Sequence, residues 1–326
     1  MRRREFIVLM GASATWPFAA LAQEPGRTYR LGYLTRSPPL DPVRGRSFVA
    51  LLDGLRHLGF IEGKNLTVKF QVYGQHPELL SDYLAELIKA KVDVIYVIGA
   101  STIRAAQQAT KTIPILAITD DMVGSGLVPS LAHPNGNTTG VSILATELDG
   151  KRQEILIEAV PGLRRMAALA DSYSTADDHA LQEAARAHGV ELSIHRITKP
   201  EEIVAAIDAA HALGARALNV LASPILDSQR QVIMDRVAAL RLPTIYQWPE
   251  RAEEGGFAAY GPPFLQLWRE VLARQLVKLF SGVKPADIPI EQPTNFELAI
   301  NLKTAKALGL SVPAPLIARA DEVIDR

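Results

Sequence analysis

The sequence predicts an α/β protein built from two doubly wound parallel-sheet lobes, and three observations carry that prediction. Short β-branched apolar runs alternate with segments whose apolar residues recur at helical spacing. The alternation breaks once, over residues 120–146, and behind the break it restarts in the same form. Strand-helix alternation of this kind gives right-handed βαβ units, hence parallel sheets covered by helices on both faces.

Taken in order, Tyr29 to Leu34 reads as a strand, and Phe48, Leu51, Leu52, Leu55 and Leu58 fall on one face of the helix that follows, which Gly59 stops. Leu66 to Tyr73 alternates enough for a strand with one partly exposed face. Leu79, Leu80, Tyr83, Leu84, Leu87 and Ile88 mark the second helix. Val92 to Ile98 is a third strand, its helix runs to about Thr110, and Ile113 to Ile118 is a fourth strand. The Gly-, Pro-, Asn- and Thr-rich stretch 120–146 reads as connecting backbone between two bodies. The second body runs helix Leu148 to Val160, strand Met166 to Ala170, helix Thr175 to His188, strand Glu191 to Ile197, helix Pro200 to Leu213 and strand Ala217 to Leu221. A helix to Leu240 and a strand Thr244 to Tyr246 complete it, and a short strand Phe257 to Tyr260 and a long helix Pro263 to Phe280 follow.

Thirty-five basic and thirty-five acidic residues balance, so no polybasic face calls for nucleic acid or an anionic membrane. The N-terminus reads as an export signal. Arg2-Arg3-Arg4 precedes the small-residue-rich apolar stretch Phe6 to Phe18, and Ala20-Leu21-Ala22 supplies the small residues of a cleavage site. The apolar part is shorter than the ~20 residues a membrane span needs. Arg3-Arg4-Glu5-Phe6-Ile7 is similar to the twin-arginine pattern, and a general secretory signal with extra arginines fits as well. Cysteine is absent, which removes a lipid-anchor cysteine, disulfides, thiol nucleophiles and thiolate metal sites. The expected mature chain begins after Ala22 and lies free in the periplasm.

The chain has no GxGxxG, GxxxxGK[ST], HExxH or GxSxG pattern, and its seven histidines are scattered singly. No catalytic residues, cofactor or metal are nominated. Polar or aromatic clusters do recur directly after strands, where ligands of open α/β sheets bind. From the first body come Arg36, Ser37, Ser101, Thr102, Asp120 and Asp121. From the second come Asp171, Ser172, Tyr173, Ser223, Tyr246 and Tyr260, with Gln247-Trp248 beside them. Hydroxyls and helix-start amides at Ser101 and Thr102 suit a carboxylate, the aspartates suit an ammonium, and the tyrosines offer flat apolar contact. Asp120 and Asp171 serve equally as turn formers, and Tyr246 equally as core. A small zwitterionic or aromatic acid fits this set better than a sugar.

Several runs resemble a known family. They are Gly59-Phe60-Ile61-Glu62-Gly63-Lys64-Asn65, then Val123-Gly124-Ser125-Gly126-Leu127-Val128 with Pro134-Asn135-Gly136-Asn137-Thr138-Thr139-Gly140 behind it, Gly255-Gly256-Phe257 leading to Tyr260-Gly261-Pro262, and the tail from Glu291-Gln292-Pro293-Thr294-Asn295-Phe296 to Gly309-Leu310. Together they are similar to the substrate-binding proteins of ABC transporters, in the tryptophan-binding-like group. The resemblance implies a type I periplasmic binding protein fold, with two lobes joined by three crossovers. It places lobe 1 at residues 28–142 plus about 262–290 and lobe 2 at 143–260 plus about 291–326. It implies binding without chemistry: a monomeric receptor that closes on a small molecule and presents it to an inner-membrane permease with its cytoplasmic ATPase. By motif, Ser101 and Thr102 match the loop that holds the ligand's polar end, and Asp121 matches an aspartate that usually precedes a proline, here replaced by Met122. Asp171-Ser172-Tyr173 and Ala222-Ser223-Pro224 also depart from the family pattern, so the ligand is less determined than the fold. A periplasmic protein that feeds a membrane sensor, or a periplasmic enzyme, are the alternative readings.

Overall fold

The structure, a computed structural model, describes residues 26–36, 45–74, 76–143, 145–172, 174 and 176–325. The N-terminal stretch read as an export signal, Ser37 and Tyr173 lie outside the described residues.

The first sheet is made of β1 (Tyr29–Thr35), β2 (Leu66–Val72), β3 (Val94–Ile98), β4 (Ile115–Thr119) and β5 (Thr138–Ser142), in the order β2-β1-β3-β4-β5 with every described pairing parallel. Helices α1 (Arg46–His57), α2 (Leu80–Lys89) and α3 (Ala100–Ala109) are its crossovers. Their apolar stripes bury against the sheet: Leu51 and Leu55 of α1 on one face, Leu84 and Leu87 of α2 with Ile103 of α3 on the other.

The second sheet uses β6 (Arg165–Asp171), β7 (Glu191–Ile197), β8 (Leu218–Val220), β9 (Thr244–Tyr246), β10 (Ala258–Gly261), β11 (Glu297–Asn301) and β12 (Glu322–Ile324). Its order is β12-β11-β10-β9-β8-β6-β7, parallel except where β11 runs against β10. Helices α4 (Ala145–Ala159), α5 (Asp178–Ala187), α6 (Ile203–Ala212), α7 (Pro224–Ser228), α8 (Arg230–Ala239) and α9 (Glu250–Glu253) connect or cover these strands. Asp177 caps α5, its side chain accepting from the amides of His179 and Ala180.

The chain passes between the sheets three times. It leaves β5 for α4, and it leaves β10 through Pro262-Pro263 for α10 (Phe264–Gln266), a π-helical turn Leu267–Leu272 and α11 (Ala273–Phe280), which pack with the first sheet's core. It then returns from Glu291, bonded to Gly140 and Ser142 of β5, to β11. Two short helices, α12 (Leu302–Leu308) and α13 (Ala314–Ile317), lead to β12. The architecture is the expected pair of α/β lobes with three crossovers, its sheets dominated by parallel pairings.

Three local features differ from the sequence reading. Residues 138–142, read as connecting backbone, form β5. Gly140 disguises it, yet only glycine fits there: φ is +145°, and a Cβ would stand 1.7 Å from the Ala117 carbonyl oxygen of β4. The tail behind residue 290, in which no strand was read, supplies β11 and β12; β11 is five residues long and enters beside β10. The helix read over 263–280 contains the π turn, which sits against α1 where a Cβ on Gly54 would come within 1.9 Å of the Arg269 carbonyl oxygen. Such turns reset the direction of a helical side chain, and this one carries Trp268.

Candidate functional site

A cavity of about 150 Å³ opens between the two sheets. It lies at the carboxyl ends of β1, β3 and β4 on one side, reached by Arg36, Gly99 and Asp120, and beyond β8 and β9 on the other, reached by Ser223 and Gln247. A cavity of that size holds a benzene ring. Its walls suit one: Tyr33 meets Phe48 edge-on at 5.2 Å, Trp248 meets Phe264 at 4.8 Å, and Phe264 lies 4.2 Å from Trp268.

The charged groups fall into three sets. Asp120 ends β4 and faces a buried acidic group from the second lobe, Asp149 and Asp171. Burial, then the charges of Asp149 and Asp171, pushes the Asp120 carboxyl up to about 7, with Arg152 opposing. Asp149 accepts from the fully buried Arg152, and burial still holds its carboxyl above the ordinary range. Asp171 accepts from the Ser223 hydroxyl, whose oxygen in turn caps α7 by accepting from the Ile225 and Leu226 amides. Arg152 pairs with Asp149 and lowers the Asp120 carboxyl, while Asp171 is held by Ser223, so acidic groups outnumber the one guanidinium at the cavity's edge.

The second set is Arg36, whose guanidinium lies 5.4 Å from the Tyr73 ring centre, beside the N-terminus of α3. Gly99 caps that ten-residue helix with no side chain, so its first-turn amides and its dipole face the same corner. The third set is a network. Arg230 and Arg251 each donate to Glu254 at 2.9 Å, Arg251 also pairs with Asp227 at 2.9 Å, and Arg46 of α1 reaches Glu254 at 3.3 Å. The Arg46 contact joins the two lobes.

Of the residues nominated from sequence, Arg36, Asp120 and Ser223 border the cavity, and Asp171 stands directly behind Ser223. Six others stand elsewhere. Ser101 is exposed on α3, while Thr102 is buried with its hydroxyl 3.5 Å from that of Tyr73. Asp121 accepts from the amides of Val123 and Gly124, forming a turn. Ser172 is exposed and bonds Thr198 at the β7 edge, Tyr246 is in the second sheet's core, and Tyr260 packs against Phe296. Arg46, Phe48, Glu250, Arg251, Phe264 and Trp268 border the cavity and were not nominated. They come from helix starts, α9 and the π turn rather than from strand ends. The acid-base pair Glu250-Arg251 inside an otherwise buried stretch was the available signal.

Among the described residues no helix is long and apolar enough to cross a membrane, and no group of three or more His, Asp and Glu side chains is placed to hold a metal.

Residues 42–324 match the family described as ABC transporter substrate binding protein. The chain belongs to that family. This substrate-binding protein is 25% identical over 291 residues to a tyrosine-binding protein of Clostridioides difficile (strain R20291), covering 86% of this chain and 80% of the relative. Its fold is similar to that of a conserved domain protein from Vibrio cholerae O1 biovar El Tor, with a TM-score of 0.81, 24% identity, and coverage of 91% of this chain and 100% of the other. It is also similar to an ABC domain in complex with L-Trp from Streptococcus pneumoniae, with a TM-score of 0.78, 21% identity, and coverage of 90% and 100%. Membership in a substrate-binding family accords with a cavity between two lobes.

Proposed function

We propose that this chain is the exported, periplasmic receptor of an ABC importer and that it captures a small carboxylate-bearing ligand, an amino acid or aromatic acid, between its lobes. The observation that carries this reading is the cavity itself: a ring-sized, aromatic-walled space with a cationic corner at Arg36 and α3 and an anionic edge at Asp120, Asp149 and Asp171. A ring between Phe48, Trp248 and Phe264 places a carboxylate toward Arg36 and the α3 amides and an ammonium toward Asp120. Support comes from the relative named for tyrosine binding and the similar fold solved with L-Trp.

The mechanism is closure. Residues 28–142 with about 262–290 move as one lobe against 143–260 with about 291–326, the hinge lying in the three crossovers. A ligand held by one lobe favours the closed state only through the contacts that the other lobe adds. Asp120 and Arg36 come from one side and Ser223, Gln247 and Trp248 from the other, so ligand contacts from both sides convert binding energy into closure. The closed surface is what a permease recognises, and the ligand is released unchanged.

The test is the thermal midpoint of the purified protein against amino acids, aromatic acids, sugars and purine nucleosides. Ligand at 100 times its dissociation constant stabilises by about 2.7 kcal/mol. A shift confined to amino or aromatic acids supports the reading, and a shift with sugars or nucleosides alone overturns it.

A further inference from the structure

From Leu242 to Ala252 every residue is buried, yet the stretch includes Gln247 and Glu250, at 7% and 8% exposure. Burying an amide and a carboxylate is costly unless their polar atoms are bonded, and more so for the charge. One oxygen of Glu250 is satisfied. Glu250 accepts from the Leu265 amide at 3.0 Å through one oxygen, and the Gln247 backbone is pressed against β10, its carbonyl oxygen 1.9 Å from where a Cβ on Gly261 would sit. The remaining atoms, Gln247 Nε2 and Glu250 Oε2, have no hydrogen-bond partner among the described residues. Both residues border the cavity. Of the other side chains with such atoms, Trp268 also borders the cavity, with its Nε1 donor, while Gln153, Asn219, Tyr246 and Gln275 do not.

We propose that Gln247 and Glu250 form a hydroxyl-recognising subsite at the aromatic end of the cavity, selecting ligands whose ring carries a hydroxyl over their unhydroxylated analogues. The inference rests on the aromatic-ligand reading above and deepens it. A donor and an acceptor three residues apart on one turn call for a group that accepts from Nε2 and donates to Oε2, and a hydroxyl does both. An ammonium leaves the Gln247 donor unmet, and a carboxylate would face the Glu250 charge. The cation of this corner, Arg251, is already engaged by Asp227 and Glu254, whereas the ammonium-seeking excess of carboxylates lies at Asp120, whose partners are different residues. The rings of Trp248, Phe264 and Trp268 surround the corner, so the hydroxyl arrives on a ring. The Leu265 contact fixes the carboxylate before ligand enters, and a phenol donating to a fixed, buried carboxylate makes a short, strong bond. Burial also raises the Glu250 carboxyl above its ordinary range, against the backbone amides and Arg251 that lower it, as expected of an acceptor waiting for a donor.

The experiment compares dissociation constants within matched pairs on the full-length protein: L-tyrosine against L-phenylalanine, 4-hydroxybenzoate against benzoate, 4-hydroxyphenylacetate against phenylacetate. A hydrogen bond to a charged group is worth about a factor of ten to a hundred in affinity. The expected result is at least a tenfold preference for a hydroxylated member in the wild type. In Glu250→Gln and Gln247→Leu the preference collapses to within about threefold, because the hydroxylated member loses more affinity than the unhydroxylated one. The melting temperature of the empty variants separates this role from a structural one, since removing an unmet buried polar group raises it or leaves it unchanged. Equal affinities within every wild-type pair, with aromatic acids still binding, overturn the subsite alone, as do variants that weaken both members equally or lower the empty protein's melting temperature. Absence of binding by every aromatic acid overturns the subsite together with the reading on which it rests.

Discussion

Asp120→Asn separates the cost of an acidic cleft from its use. The Asp120 carboxyl is raised from 3.8 to about 7, so the folded protein holds a proton that the unfolded chain releases near pH 4. Between those values the folded state binds more protons, and stability falls as pH rises. At about 1.36 kcal/mol per pKa unit the accumulated cost above pH 7 is up to about 4 kcal/mol. The asparagine variant has no such group. It should be more stable than wild type by up to about 4 kcal/mol at pH 8 and no different below about pH 4. Urea unfolding followed by tryptophan fluorescence from pH 3.5 to 8.5 measures this, the buried Trp248 and Trp268 reporting. The same group sets binding: an amine-bearing ligand must displace the proton, so its affinity falls about tenfold per pH unit below 7, while the matched acid without an amine does not follow that slope. A variant no more stable than wild type at pH 8, or a stability difference between the two that is flat from pH 4 to 7, refutes the reasoning.

Three further outcomes are expected. Gly140→Ala forces a Cβ to within 1.7 Å of the Ala117 carbonyl oxygen at a φ of +145° and should cost about 3 kcal/mol or more, read from the urea midpoint. Arg46→Ala breaks the ion pair between lobes; because Arg46 is 40% exposed, the loss should be no more than about fivefold in ligand affinity and should vanish at high salt. Arg36→Met should weaken carboxylate ligands by about tenfold to a hundredfold while leaving the corresponding primary amides unchanged, as titration calorimetry would show.

Much of the fold was legible because its signals are periodic. Strands buried on both faces, such as β3 and β4, read as unbroken β-branched runs, and the stripes of α1 and α2 repeat at helical spacing. What escaped was set by tertiary contact. β5 contains a glycine because the β4 backbone lies against it, and local sequence cannot show that neighbour. β11 is too short to announce itself and takes its direction from β10. At the cavity, Arg36, Asp120 and Ser223 follow directly from the strand-end rule. Ser101 and Thr102 show its limit: consecutive helical residues point about 100° apart, and helix rotation turned Thr102 inward and Ser101 to solvent. Glu250 and Trp268 arrive from α9 and the π turn, elements whose orientation depends on how one lobe meets the other.

The central claim is that the cavity between the lobes binds a small aromatic acid or amino acid, and titration calorimetry of L-tyrosine, L-tryptophan, benzoate and 4-hydroxybenzoate into the purified protein tests it most directly. The account predicts saturable one-to-one binding of at least one of them, with a negative heat-capacity change from burial of the ring, abolished when Arg36 and Asp120 are replaced together. Binding that survives that double replacement unchanged, or no heat with any of the four while a sugar or nucleoside binds, would contradict it.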